Sequence, residues 1–194
     1  MIVKGSIFFI WVLVIISGCA ISDQSNNKDN QLIKVHARES VALTFNTLST
    51  ELKNALSSGG ISPAIEYCNL NALKLTDSLS RSMNVVIKRA TDRWRNPQNK
   101  ASTQELAMIK FYQTELNKGN SISDSILINE NSKLYYAPIR INNLCLKCHG
   151  NENEITDYDF IKRLYPDDRA VNYKLGELRG IWSVSYLNSI SENE

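Results

Sequence analysis

The chain has 194 residues, 43% of them apolar and 22% charged, with a formal net charge of +2. That length suits one ordinary domain with appendages, and the apolar share is enough for a core. With charge so nearly balanced and no strongly basic run, nucleic acid is not expected as a partner, and four cysteines are too few for a disulfide scaffold.

Residues 1–18 read as an export signal. Lys4 supplies the positive flank, and Ile7 through Ile16 is a ten-residue apolar stretch, short for a bilayer span. Ile16-Ser17-Gly18-Cys19 resembles the lipobox of bacterial lipoproteins, where the peptide is cut before a cysteine that then carries lipid. An uncleaved anchor helix is the alternative, but the small residues before Cys19 favour cleavage. By the sorting rules of bacteria with two membranes, Ala20 in the second mature position favours the outer membrane over the inner. The protein is therefore expected on the periplasmic side, held to a membrane through lipid at Cys19. Residues 20–31 are polar and expected to be disordered, giving a plan of signal (1–18), tether (19–31) and one domain (32–194).

From about residue 32 to 57 the pattern is helical: Val41, Phe45, Leu48, Leu52 and Ala55 form one apolar stripe, and Gly59-Gly60 ends it. His36 lies roughly 140° around the helix from Val41 at about 100° per residue, so a surface position is favoured over a ligand. Ser62-Pro63 predicts the N-cap and first turn of a second helix, with Ile65, Cys68, Ala72, Leu75 and Leu79 facing inward. Spacing alone makes Cys68 a small core thiol.

Asn84 to Lys88 reads as a short strand. Arg89, Arg93 and Arg95 follow within seven residues, either as a solvated loop or as grips for carboxylates, and Asn96-Pro97 marks a turn. Ser102-Thr103-Gln104-Glu105 is a capping box for a third helix with Leu106, Ile109 and Leu116 inward and Gly119 after its end. Residues 122–128 and 133–141 predict a hairpin through Asn129 to Ser132, with Pro138 implying an edge or a bulge. After a polar loop at 150–157, Tyr158 to Tyr165 predicts one or two helical turns, and Ile181 to Tyr186 a final strand preceded by Arg179-Gly180.

The chemistry is concentrated in Cys145-Leu146-Lys147-Cys148-His149. Two thiols at this spacing can each add across a vinyl group of one haem, and the next residue offers an imidazole to its iron. A redox disulfide, or a zinc site joining Cys145, Cys148, His149 and Cys68, is the alternative. Zinc would more often show a second close pair of ligands, and the export signal fits haem attachment outside the cytoplasm.

The chain also carries Ile65-Glu66-Tyr67-Cys68-Asn69, then Arg93-Trp94-Arg95-Asn96-Pro97-Gln98-Asn99, then Tyr136-Ala137-Pro138-Ile139 and Cys145 through Gly150. Tyr165-Pro166-Asp167-Asp168-Arg169-Ala170 and Gly176-Glu177-Leu178-Arg179-Gly180 follow. This ordered set, spanning roughly residues 35–187, resembles a family of exported single-haem c-type domains of PAS-like fold. The family is long catalogued as a domain of unknown function. Its members stand alone or form the extracytoplasmic part of histidine kinases and chemoreceptors. One departure is Asn172, where that pattern usually has glycine before Tyr173.

The resemblance implies an α+β fold, an antiparallel PAS-like sheet packed with N-terminal helices, and one covalent haem c per chain. It implies Cys68 as the second axial ligand opposite His149, with Arg93, Arg95 or Arg179 near the propionates. Iron held on both sides leaves no open coordination site, so substrate turnover is not expected. The function implied is a redox or small-ligand sensor working through a separate signalling protein. The alternative is a monohaem cytochrome passing electrons to a redox partner; an enzyme acting on sulfur compounds rests only on analogy of ligands.

Overall fold

A computed structural model describes residues 20–129 and 132–186; the export signal and Cys19 lie outside the described residues. In chain order it contains α1 (Ala20–Gly59), α2 (Ile61–Ser82), β1 (Val85–Ala90), a 3-10 turn (Pro97–Asn99) and α3 (Thr103–Asn117). These are followed by β2 (Ser125–Asn129), β3 (Ser132–Arg140), α4 (Asn143–His149), α5 (Tyr158–Leu164) and β4 (Leu178–Tyr186). The strands form one antiparallel sheet in the order β1-β4-β3-β2. The fold is α+β, as expected, and the last strand in sequence lies inside the sheet between β1 and β3.

Strand alternation gives the sheet two different faces. Ala90, Tyr136 and Ile181 pack with Ile109 and Tyr112 of α3 on one. Val85, Ile87, Tyr135, Trp182 and Val184 pack with Ala37, Val41 and Leu48 of α1 on the other. Pro138 pairs with Ile181 of β4, beyond the point where β2 stops opposite Tyr136, and a register shift follows between Ile139 and Arg140. A residue without an N–H is tolerated there because that side of β3 has no neighbouring strand.

Three local expectations are corrected. The polar stretch 20–31 is the beginning of α1, not a disordered segment. Its residues continue a helix that first meets the core at Ala37, and adding turns to a helix already nucleated by packing costs far less than starting one. The innermost line of α1 is Ala37, Ser40 and Thr44, because Ser40 and Thr44 donate their hydroxyls to the carbonyls of His36 and Ser40, at 2.8 Å each, and so can be buried. Ser62 does not cap α2. Gly60 holds that position with φ 81°, and Ser62 Oγ instead donates to Asp157 Oδ2 at 2.9 Å.

The capping box of α3 forms as predicted: Glu105 N donates to Ser102 Oγ at 3.3 Å, and Ser102 N donates to Glu105 Oε2 at 2.8 Å. Polar ties also fasten α1 to the sheet. Arg38 donates to both oxygens of Asp124, just ahead of β2. Near the other edge, His36 Nδ1 lies 3.0 Å from the Tyr186 hydroxyl, which donates to the Ile33 carbonyl at 2.8 Å.

Candidate functional site

The residues Cys145 to His149 lie on α4, a short helix. Asn142 caps it, its side-chain oxygen accepting from Cys145 N at 3.1 Å. On a helix, positions i, i+3 and i+4 share a face. Cys145, Cys148 and His149 accordingly turn toward one space, on the α1 and α2 side of the sheet.

That space is made of two adjoining cavities of about 240 and 210 Å³, which share Phe45, Leu52, Cys68, Cys145 and His149 among their walls. Phe45 and Leu52 of α1, Ala72 of α2, and Ile139 and Trp182 of the sheet supply apolar surface. Phe45 is 49% exposed because the predicted stripe on α1 looks partly into this cavity rather than into packed side chains. Residues far apart in sequence thus meet: Cys68 of α2 and the Cys145, Cys148 and His149 group of α4. Cys68, Cys145 and Cys148 are all free thiols. Among the described residues, no three His, Cys, Asp or Glu side chains converge closely enough to hold a bare metal ion. A larger cleft of about 630 Å³ on the other side of α4 is lined by Leu146, Lys147, Glu154 and Ile155 and contains none of the four donors.

His149 is oriented from behind. A carbonyl can only accept, so Nδ1–H donates to the Ala170 carbonyl, 2.6 Å away, and Nε2 remains the free ring nitrogen. Burial, reinforced by the nearby guanidinium groups of Arg95 and Arg179, holds the imidazole well below its usual pKa and keeps it neutral. Burial pushes the Cys68 thiol up, while Arg89 and Arg95 pull the other way by favouring its thiolate.

Of the arginines expected here, Arg95 and Arg179 line the cavity and Arg93 does not. Arg93 turns outward, donating to the carbonyls of Arg169 and Val171 and stacking over the Tyr173 ring at 3.9 Å. Arg89 takes its place. In β1 the alternation puts Arg89 on the same face as Ile87, opposite Trp182 of β4, and its side chain lines both cavities. Desolvation lowers the pKa of both Arg89 and Arg179. Among the described residues neither forms an ion pair with a carboxylate; Arg179 donates instead to Thr91 Oγ1 and the Arg93 carbonyl, at 3.0 Å each. Two cations facing an enclosed space without counter-charge call for an anion in that space.

Asn172 takes up the left-handed conformation, φ 59°, that a glycine would adopt freely. Its side-chain oxygen accepts from Glu152 N and its amide donates to Glu152 Oε1, both at 3.1 Å, so the turn survives the departure. His36, Met83 and Met108, the other candidate ligands in the chain, do not line either cavity.

No curated protein matches the chain. The crystal structure of the cyanobacterial heme-protein Tll0287 is similar, with a TM-score of 0.59 at 20% identity over 76% of this chain and 92% of that one. The likeness is one of fold, the PAS-like arrangement of sheet and helices expected above. The Tll0287-like family matches residues 21–186, nearly everything after Cys19, and the chain belongs to that family.

Proposed function

We propose that this is a haem protein held to the periplasmic face of a bacterial membrane by lipid at Cys19, with one haem attached through Cys145 and Cys148. His149 and Cys68 are its axial ligands, and the chain works as a redox or small-ligand sensor. One observation carries the reading: both thiols, the neutral imidazole, a third thiol and two uncompensated guanidinium groups line one apolar cavity. The haem binding named for Tll0287 supports it.

The donor set fits a haem better than a bare ion. Cys145 and Cys148 would form the thioether links, His149 Nε2 would bind from α4, and Cys68 would give up its proton and bind from α2. Arg89 and Arg179 would meet the two propionates, which supply the anionic charge that these side chains lack. Bound haem supplies a one-electron couple at iron. Walls from Phe45, Leu52 and Trp182 would keep water from it and raise the weight of every nearby charge.

Sensing is favoured over simple electron transfer by where Cys68 sits. Its helix packs on α5, on β1 and on α1, and α1 also walls the cavity and runs back to Ala20, next to the proposed lipid attachment. Release of Cys68 on reduction would therefore change the packing of the element closest to the membrane, where a separate signalling protein could read it.

Two measurements test this. Haem should remain on the denatured protein through acid–acetone extraction; colour that extracts completely would sink the covalent assignment. In a spectroelectrochemical titration, sensing predicts a low potential and a spectral change from ligand exchange. A reversible couple in the respiratory range with unchanged ligands would instead identify an electron carrier serving a redox partner.

A further inference from the structure

The Arg95–Asp168 ion pair lies behind α4, almost wholly out of solvent, with the Asp168 side chain 0% exposed. Arg95 Nε donates to Asp168 Oδ2 at 3.0 Å. Its Nη2 donates to the Cys148 carbonyl at 2.6 Å and reaches the Ala170 carbonyl at 3.4 Å. Asp168 Oδ1 in turn accepts from Ala170 N at 2.9 Å. Ala170 is the residue whose carbonyl receives the His149 Nδ1 proton, and Cys148 directly precedes His149.

We propose that Asp168 and Arg95 are positioning residues for His149, one ion pair fixing both ends of the hydrogen bond that aims its ring. The proposal rests on the haem reading above and assigns Arg95 a task other than meeting propionates. Neither partner of that hydrogen bond sits on a rigid element. The helix α4 has only seven residues, and Ala170 lies in the irregular stretch between α5 and β4. Asp168 holds the Ala170 peptide by its amide, while Arg95 holds the peptide on the His149 side by the Cys148 carbonyl. A hydrogen bond behind a ligating imidazole sets its tautomer, its plane and its basicity, so the pair would govern how His149 meets iron.

A pair that merely stabilises the fold predicts something different, and a second ion pair supplies the comparison. Lys88 and Glu105 meet at 2.9 Å on the α3 side of the sheet, away from the cavity. The test uses the full-length holoprotein in four forms: wild type, Asp168→Asn, Arg95→Lys and Glu105→Gln. Each is read by covalent haem content, melting temperature, ferric EPR spectrum and reduction potential.

Asp168→Asn keeps the shape but leaves Arg95 without counter-charge, and Arg95→Lys keeps the charge but cannot hold Asp168 and the Cys148 carbonyl together. Both should retain covalent haem while the low-spin EPR signal shifts and broadens and the potential moves. Glu105→Gln should lower the melting temperature and leave the EPR spectrum as in wild type. Wild-type EPR spectra and potentials in both site variants, whatever their melting temperatures, would overturn the proposal. Should Asp168→Asn fail to accumulate, Arg95→Lys decides by the same readings. Wild-type protein without covalent haem would sink the haem reading first, and this proposal with it.

Discussion

At Cys68 two opposing influences meet: burial disfavours the thiolate, and Arg89 and Arg95 favour it. As the iron ligand proposed above, the thiolate would add negative charge that stabilises the ferric state more than the ferrous. Cys68→Ala should therefore raise the potential by at least about 120 mV, two tenfold steps at about 60 mV each for a one-electron couple, with covalent haem content unchanged. A variant matching wild type in spectrum and potential would return Cys68 to a packing role. Arg89→Gln should act in the opposite direction. Loss of a buried positive charge favours the ferric state, so the potential should fall, by up to about 60 mV, in the same titration.

These two residues also mark how far the sequence could be read. Periodicity placed Cys68 on the inward face of α2, but that face serves both core and cavity, and only the fold brings it to His149. The arginines were harder. Arg93 and Arg95 lie in a loop with no repeating pattern, so nothing local tells that one turns out to Tyr173 and the other in to Asp168. Arg89 had a usable signal. It follows Ile87 by two on a strand, which makes it a charge on an apolar face.

Among the elements, α3 was the most legible because its start is written in side chains that bond to their own backbone. Glu105 serves twice there, completing the capping box and accepting from Lys88 Nζ at 2.9 Å. Burial alone would raise its carboxyl, but the bonds from Lys88 and Ser102 outweigh that and hold it below the usual range. The unfolded chain then binds this proton at a higher pH than the folded one does. Glu105 thus contributes stability that is complete above the ordinary glutamate pKa and is lost as pH falls through the lower, folded value. Denaturation of Glu105→Gln should show a loss of about 2 kcal/mol at neutral pH, shrinking as pH falls below about 4. An equal loss at every pH would contradict it. The length of α1 was less legible, since polar residues beyond the core contact carry no periodic signal and their helix is set by the packed turns that follow.

For the whole molecule the proposed lipid predicts where the protein is found. The mature chain should partition with membranes, and Cys19→Ser should leave an unprocessed precursor in a membrane fractionation. Cleavage of that variant at the usual place, with release of protein, would remove the lipid from the account. The α+β class came with the family resemblance, whereas the strand order was not read from the sequence at all. A terminal strand reads the same whether it joins an edge or the middle of a sheet.

The central position of β4 has a consequence in time. A chain that is synthesised or threaded through a membrane from its N-terminus delivers Cys145 and Cys148 well before Leu178–Tyr186. Until that last segment arrives, β1 and β3 have no strand between them, and closing them requires contacts about a hundred residues apart, which form slowly. The two thiols therefore emerge before the wall that β4 supplies to their cavity can close. On the proposed reading, order along the chain would thus provide a window for haem attachment, one that closes when β4 enters the sheet.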